Sequence, residues 1–299
     1  MQLFSPTFLK SLFKPLLAIF ASTRGYTILV IVVAQYLSAR YILAPDRTWI
    51  MHLTDYRLFF LVLASSFAIA GGYLINNFYD AEKDQINRPQ QYLLHHMLSP
   101  INQLRYYAIF NLSCLGIAWL ISYRAFLFFL IYIAGIWLYS HLLKKTFWAS
   151  NFFAAFLAII PFFAIGLYFN NLSNWVLYHA VFLFLMILIR DMIKDLQNFK
   201  GDWVRKYNTT AVVFGVKTTK FILSGFVLFS IYPITLLLSE KNQLGWMYYY
   251  FILTLPYLFG ILLLIWKATT QKMYLWAHNL LNFLILAGVV SIVLVRYSI

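Results

Sequence analysis

Charge is what this sequence of 299 residues has least of. Asp, Glu, Lys and Arg make up 11% of it, against about 25% in an ordinary soluble domain, while 63% is apolar or aromatic. That balance excludes a soluble globule. A bilayer span needs roughly 20 mostly apolar residues, so nine spans leave room for connections but not for a separate aqueous domain, and 1–299 is expected to form one domain. Cysteine is nearly absent as well. The single Cys114 lies in an apolar run and cannot close an intrachain disulfide, so nothing points to an oxidising compartment. There is no glycine-rich phosphate loop and no GxSxG elbow, and His95, His96, His141, His179 and His278 show no metal-ligand spacing. No cleavable signal peptide is expected either. The apolar stretches around Phe8, Leu9, Leu12 and Phe13, split by Lys10 and Lys14, are too short for a signal core and predict an interfacial helix over about 7–20.

What the sequence does contain is long apolar windows. They predict an all-α polytopic membrane protein with spans near 25–44, 57–79, 104–123, 125–140, 148–169, 174–190, 219–238, 245–266 and 275–296. The third and fourth are separated only by Ser122, Tyr123 and Arg124, which implies a tight hairpin. With the N-terminus in the cytosol, only Arg40, Arg47, Arg57, Arg124, Lys241 and Arg296 of the 23 basic residues fall outside, so the positive-inside bias supports both the count and the orientation. The formal charge of +14 is then explained by a basic inner surface facing anionic membrane lipids, with no nucleic acid required. An integral protein of a bacterial or archaeal cytoplasmic membrane is expected.

The nine acidic residues are not scattered. Apart from Asp46, Asp55 and Glu240 they fall in two cytosolic segments, Asp80, Glu82 and Asp84 after the second span, and Asp191, Asp195 and Asp202 after the sixth. No proline interrupts 71–84, so the second helix should continue past the membrane core with Asn76, Asp80 and Asp84 on one face. Asp191 and Asp195 repeat the four-residue spacing. The second and sixth spans run in the same direction, so nine helices enclosing one cavity could present both pairs to it. Two like charges about 6 Å apart at an effective dielectric near 20 repel by roughly 3 kcal/mol, and something must neutralise them. Protonation is one answer. A hard divalent cation suits the pattern better, because Mg²⁺ takes one or two carboxylates and completes its shell with water and phosphate. Arg88, Lys144 and Lys194 lie near the acids in sequence and could hold the remaining phosphate charge. The plainer alternative is that the acids solvate helix ends.

With these segments the chain resembles the UbiA-type intramembrane prenyltransferases, whose first motif reads NDxxDxxxD and whose second carries acids at a four-residue spacing. Here the first runs Asn76-Asn77-Phe78-Tyr79-Asp80-Ala81-Glu82-Lys83-Asp84, followed by Asn87-Arg88-Pro89, and the second runs Asp191-Met192-Ile193-Lys194-Asp195, followed by Gly201-Asp202. Tyr139, Lys144 and Asn151 fall where the family carries a tyrosine, a lysine and an asparagine. The resemblance implies that Asp80, Asp84, Asp191 and Asp195 hold Mg²⁺ and are catalytic. It implies that Asn76, Arg88, Tyr139, Lys144, Asn151 and Lys194 bind substrate. An isoprenyl diphosphate donor would then give its isoprenyl group to a hydrophobic or amphipathic acceptor at a site facing the cytosol. The Asn87-Arg88-Pro89 continuation is similar to the branch that alkylates geranylgeranylglyceryl phosphate, and an aromatic, quinone-precursor acceptor is the alternative. Four departures stand out: Asn77 for the first motif's first aspartate, Asn198 for a frequent acid, Gln90-Gln91 for a base and Ala211 for a proline. Asn77 and Asn198 raise the further alternative of a catalytically silent relative. A transporter is a reading of another class; it predicts acids near mid-bilayer and helices broken there, whereas these acids sit at helix ends on one side.

Overall fold

The computed structural model describes residues 15–87, 89–146, 149–204 and 206–296, and every regular element among them is helical. In a bilayer only helices and closed barrels satisfy their own backbone groups, and the long apolar segments take the helical solution. Nine helical stretches among the described residues are long and apolar enough to cross a membrane. The protein is thus an all-α integral membrane protein with the expected number of spans. Residues 15–22 (α1) are helical; the part of the expected interfacial helix before residue 15 lies outside the described residues. There follow α2 (Gly25–Ser38) with a π-turn over Ala39–Leu43, α3 (Trp49–Leu53), α4 (Tyr56–Asn87), α5 (Pro89–His95), α6 (Pro100–Ile121) and α7 (Tyr123–His141). After a 3-10 turn at Leu143–Lys145 come α8 (Ala149–Tyr168), α9 (Asn174–Val204), α10 (Thr210–Phe229), α11 (Ile231–Ser239), α12 (Lys241–Leu244), α13 (Met247–Lys267) and α14 (Gln271–Ser291).

The chain divides into two compact units. The first is formed by the chain up to Val33 together with Phe60–His141. Within it α4 packs closely on two neighbours because Gly71 and Gly72 carry no side chain. A Cβ at Gly71 would stand 2.9 Å from Asn111 Oδ1 on α6, and one at Gly72 would stand 3.1 Å from Ile136 Cγ2 on α7. The α6–α7 hairpin turns on one residue. Ser122 is extended, donates its N–H to Ala118 O, and accepts the Ala125 N–H on its Oγ at 3.1 Å, so it ends one helix and caps the next. Ala18, Leu74 and Leu98 form a buried cluster that ties α1, α4 and the segment after α5 together.

The second unit is formed by Ala34–Phe59 and the chain from Leu142 onward. Its centre is α9, which packs against α8, α10, α11 and α14 and buries Met186, Leu188, Ile189 and Ile193 completely or nearly so. Polar side chains tie the elements of this unit together. Gln35 Nε2 donates to Pro161 O at 3.1 Å, and Asn171 Nδ2 donates to Leu43 O at 2.8 Å. Asp55 accepts the N–H groups of Arg57 and Leu58 at 3.2 Å, and its carboxylate also takes the Tyr168 hydroxyl at 2.7 Å and Arg47 Nη1 at 3.0 Å. Lys220, inside α10, is buried because its Nζ caps the end of α13 by donating to Ala268 O at 2.9 Å.

Candidate active site

α4 has 32 residues and α9 has 31. At 1.5 Å per residue each is roughly 47 Å long, well beyond a hydrocarbon core of about 30 Å, so both carry a polar extension past the bilayer. In α4 that extension holds Asn76, Asp80 and Asp84 at four-residue intervals on one face. Asp80 is 6% exposed, Asn76 and Asp84 are half-buried, and Glu82, rotated away, is exposed. Tyr139, near the end of α7 in the same unit, is half-buried. Arg88 lies outside the described residues.

In the second unit α9 presents Asp191, Lys194 and Asp195, all half-buried. Asn151 on α8, itself 6% exposed, donates Nδ2 to Asp195 Oδ2 at 2.8 Å. Two residues singled out separately, 44 positions apart, thereby become one pair. Lys144 sits half-buried in the 3-10 turn that leads to α8. Arg190 was not among the expected site residues, yet its Nε and Nη2 both reach Asp191 Oδ1, at 3.0 and 2.9 Å. Its position directly before Asp191 was the only available signal, and neighbours in sequence ordinarily point to different helix faces. Asp202 was quoted with the second motif but not counted as a site residue. It is fully buried and shares the Asp191–Asp195 stripe, eleven residues beyond Asp191, close to three helical turns.

The donors these acids offer are oxygen only. Among the described residues no three His, Cys, Asp or Glu side chains converge into a metal cage. A set of paired carboxylates without thiolate or imidazole does not suit zinc, which takes four protein ligands in structural sites. It fits Mg²⁺, which keeps part of its shell for water and phosphate.

The model of the UbiA prenyltransferase family matches residues 30–286. The digeranylgeranylglyceryl phosphate synthase of Sulfolobus acidocaldarius is 32% identical over 164 residues, covering 54% of this chain and 59% of that protein. The chain spans about six tenths of the length of the first curated relatives it matches. Among solved structures, one described as digeranylgeranylglyceryl phosphate synthase in membranes superimposes with a TM-score of 0.71 at 17% identity, over 92% of this chain and 96% of that one. A UbiA homologue from Archaeoglobus fulgidus bound to GPP and Mg²⁺ does so with a TM-score of 0.67 at 14% identity, over 92% of this chain and 99% of the other. At these identities the structural likeness carries the fold.

Proposed function

Because the chain belongs to the UbiA prenyltransferase family, we propose that it is a Mg²⁺-dependent intramembrane prenyltransferase that alkylates geranylgeranylglyceryl phosphate from an isoprenyl diphosphate. The observation that carries this is the pair of overlong helices, each ending its span with two carboxylates four residues apart, one of them held by Asn151. A single prenyltransferase domain spanning 1–299 and enclosing one cavity is part of the proposal. So is a cytosolic site in an archaeal or bacterial cytoplasmic membrane, with the basic inner surface against anionic lipid rather than nucleic acid.

Asp80, Asp84, Asp191 and Asp195 are the proposed ligands of Mg²⁺, which when bound supplies charge neutralisation of the diphosphate leaving group. Arg88, Lys144 and Lys194 hold the phosphate oxygens that remain. Asn76, Tyr139 and Asn151 complete the substrate contacts, with Asn151 fixing the rotamer of Asp195. The charged end of the donor belongs at the polar helix extensions, and its isoprenyl tail belongs in the apolar span region. As the C–O bond to the diphosphate breaks, its electron pair leaves with the diphosphate and an allylic cation remains; the acceptor hydroxyl oxygen bonds to that cation and its proton passes to the released diphosphate. Apolar walls keep water from that cation.

Mass spectrometry of products from purified protein, Mg²⁺, a panel of isoprenyl diphosphates and a panel of acceptors tests the proposal. Alkylated geranylgeranylglyceryl phosphate is the expected product. A quinone-type product would overturn the acceptor, and no transfer to any acceptor would overturn the activity.

A further inference from the structure

Asn77 occupies the position at which the family resemblance places the first motif's first aspartate. It follows the Asn76–Asp80–Asp84 face by one residue, so its side chain is turned about 100° away from that face. It is 1% exposed, and its Nδ2 donates to two backbone carbonyls, Ser22 O at 2.7 Å and His95 O at 3.3 Å. Both partners are acceptors only, so the nitrogen end of the amide must face them, and its two N–H groups match the two carbonyls. The contact also runs the other way: His96 Nε2 lies 2.9 Å from the backbone carbonyl of Asn77, with the Tyr92 ring stacked on His96 at 4.2 Å. Two residues further on, Leu98 is buried with Leu74 and Ala18, and its carbonyl accepts Gln103 Nε2 at 3.0 Å. Three stretches of chain therefore meet at one side chain: the end of α1, the inner part of α4 and the 89–98 segment.

A carboxylate could not make this junction. An ionised Asp has no hydrogen to donate and would set its oxygens against two carbonyl oxygens in a buried place. We infer that Asn77 is a positioning residue that straps residues 89–98 across the inner end of α4, and that the motif's acid has here been exchanged for a donor. The strap carries Gln90 and Gln91, the other departures nearby, and holding it fixes the polar surroundings of the helix end that bears Asp80 and Asp84. Only this consequence for transfer rests on the prenyltransferase proposal; the strap itself does not.

Hydrogen exchange of the full chain in detergent, without Mg²⁺ or donor, tests the strap. At neutral pH, Asn77→Ala and Asn77→Asp should each speed exchange in 91–98 by about tenfold, since a buried donor pair is lost. Acidification should restore part of the protection in Asn77→Asp, because a protonated carboxyl has one O–H to donate to one of the two carbonyls, but none in Asn77→Ala, with rates corrected by the unsubstituted protein at the same pH. Transfer by Asn77→Asp, taken relative to the unsubstituted protein at the same pH, should follow the same pattern. If Asn77→Asp kept full protection at neutral pH, or transferred faster with a lower Mg²⁺ requirement, the position would be a ligand site and the inference would be wrong. His96→Phe keeps the stack on Tyr92 and deletes the Nε2 contact with Asn77 O together with the Nδ1 contact with Tyr92 O inside the strap, so it serves where the Asn77 variants do not fold. It should open the same peptide, and unchanged exchange would contradict the strap. A chain with normal exchange changes but no transfer activity would overturn the enzyme proposal alone.

Discussion

Asn151 and Asp195 face each other across α8 and α9 at 2.8 Å, amide to carboxylate, with the asparagine buried. A buried amide that donates to one carboxylate oxygen fixes the direction of the other, and this is the kind of support a metal-binding acid needs.

Removing that donor should cost a charge-assisted hydrogen bond, about 1.5–3 kcal/mol, which corresponds to roughly 10- to 100-fold in rate if it acts in the transition state. Asn151→Ala is thus expected to lower transfer by that factor with little change in thermal unfolding in detergent. Asn151→Asp should be worse at neutral pH, since it sets two carboxylates against each other. Equal turnover in both variants and the unsubstituted protein would dissociate Asn151 from Asp195.

Acid sensitivity should arise first at the opposite ends of the spans. His52 lies in the connection before α4; burial and the charges of Arg47 and Arg40 push it below the ordinary imidazole value of 6.5, against a contribution from Ala44. The unfolded chain therefore takes the proton first, and stability present above pH 6.5 is lost as pH falls from there through the folded value. Asp55 adds a second loss. Burial raises it, but the Tyr168 hydroxyl, the Leu58 N–H and Arg47 outweigh this and hold it below 3.8, so its share is present above 3.8 and lost as pH falls through the folded value. Melting curves from about pH 7.5 to 5 should show the midpoint falling less in His52→Phe, which keeps an aromatic edge against Phe169. The same slope in both proteins would refute the assignment.

Gly215 offers a purely conformational test. It bends α10 with φ 78° and ψ 164°, and a Cβ there would meet nothing within 4 Å. Gly215→Ala should therefore lower stability by about 1–3 kcal/mol through backbone strain alone. Gly225→Ala, in a helical and equally open place, should raise it by about 0.5–1 kcal/mol. The two unfolding midpoints should move in opposite directions.

Sequence and structure differ near this bend. Apolar windows place the seventh span at 219–238, but the helical stretch begins at Thr210, because Lys217, with Lys220 just inside the window, marks a polar boundary in the sequence. Lys220 is instead absorbed by the carbonyls ending α13. Where polarity marks helix ends, as around Ser122, boundaries were legible; where a charged side chain is buried by long-range capping, they were not. The same holds for the site. The face shared by Asn76, Asp80 and Asp84 follows from the helical period, whereas Asn151 meeting Asp195, Arg190 bonding Asp191 and Asn77 bonding Ser22 and His95 depend on packing that no spacing encodes.

Transfer measured with Asp80→Asn, Asp84→Asn, Asp191→Asn and Asp195→Asn, each with added Mg²⁺ and with EDTA, bears most directly on the proposed carboxylate site. Each substitution keeps the size of the side chain and removes one charged ligand, so the expected loss is a few kcal/mol of barrier, about 10²- to 10³-fold in rate, with membrane insertion intact. Glu82→Gln, on the exposed face, should be tolerated, and EDTA should abolish transfer by the unsubstituted protein. Normal turnover in the four Asn variants, or product formed equally well in EDTA without added divalent ion, would contradict the account.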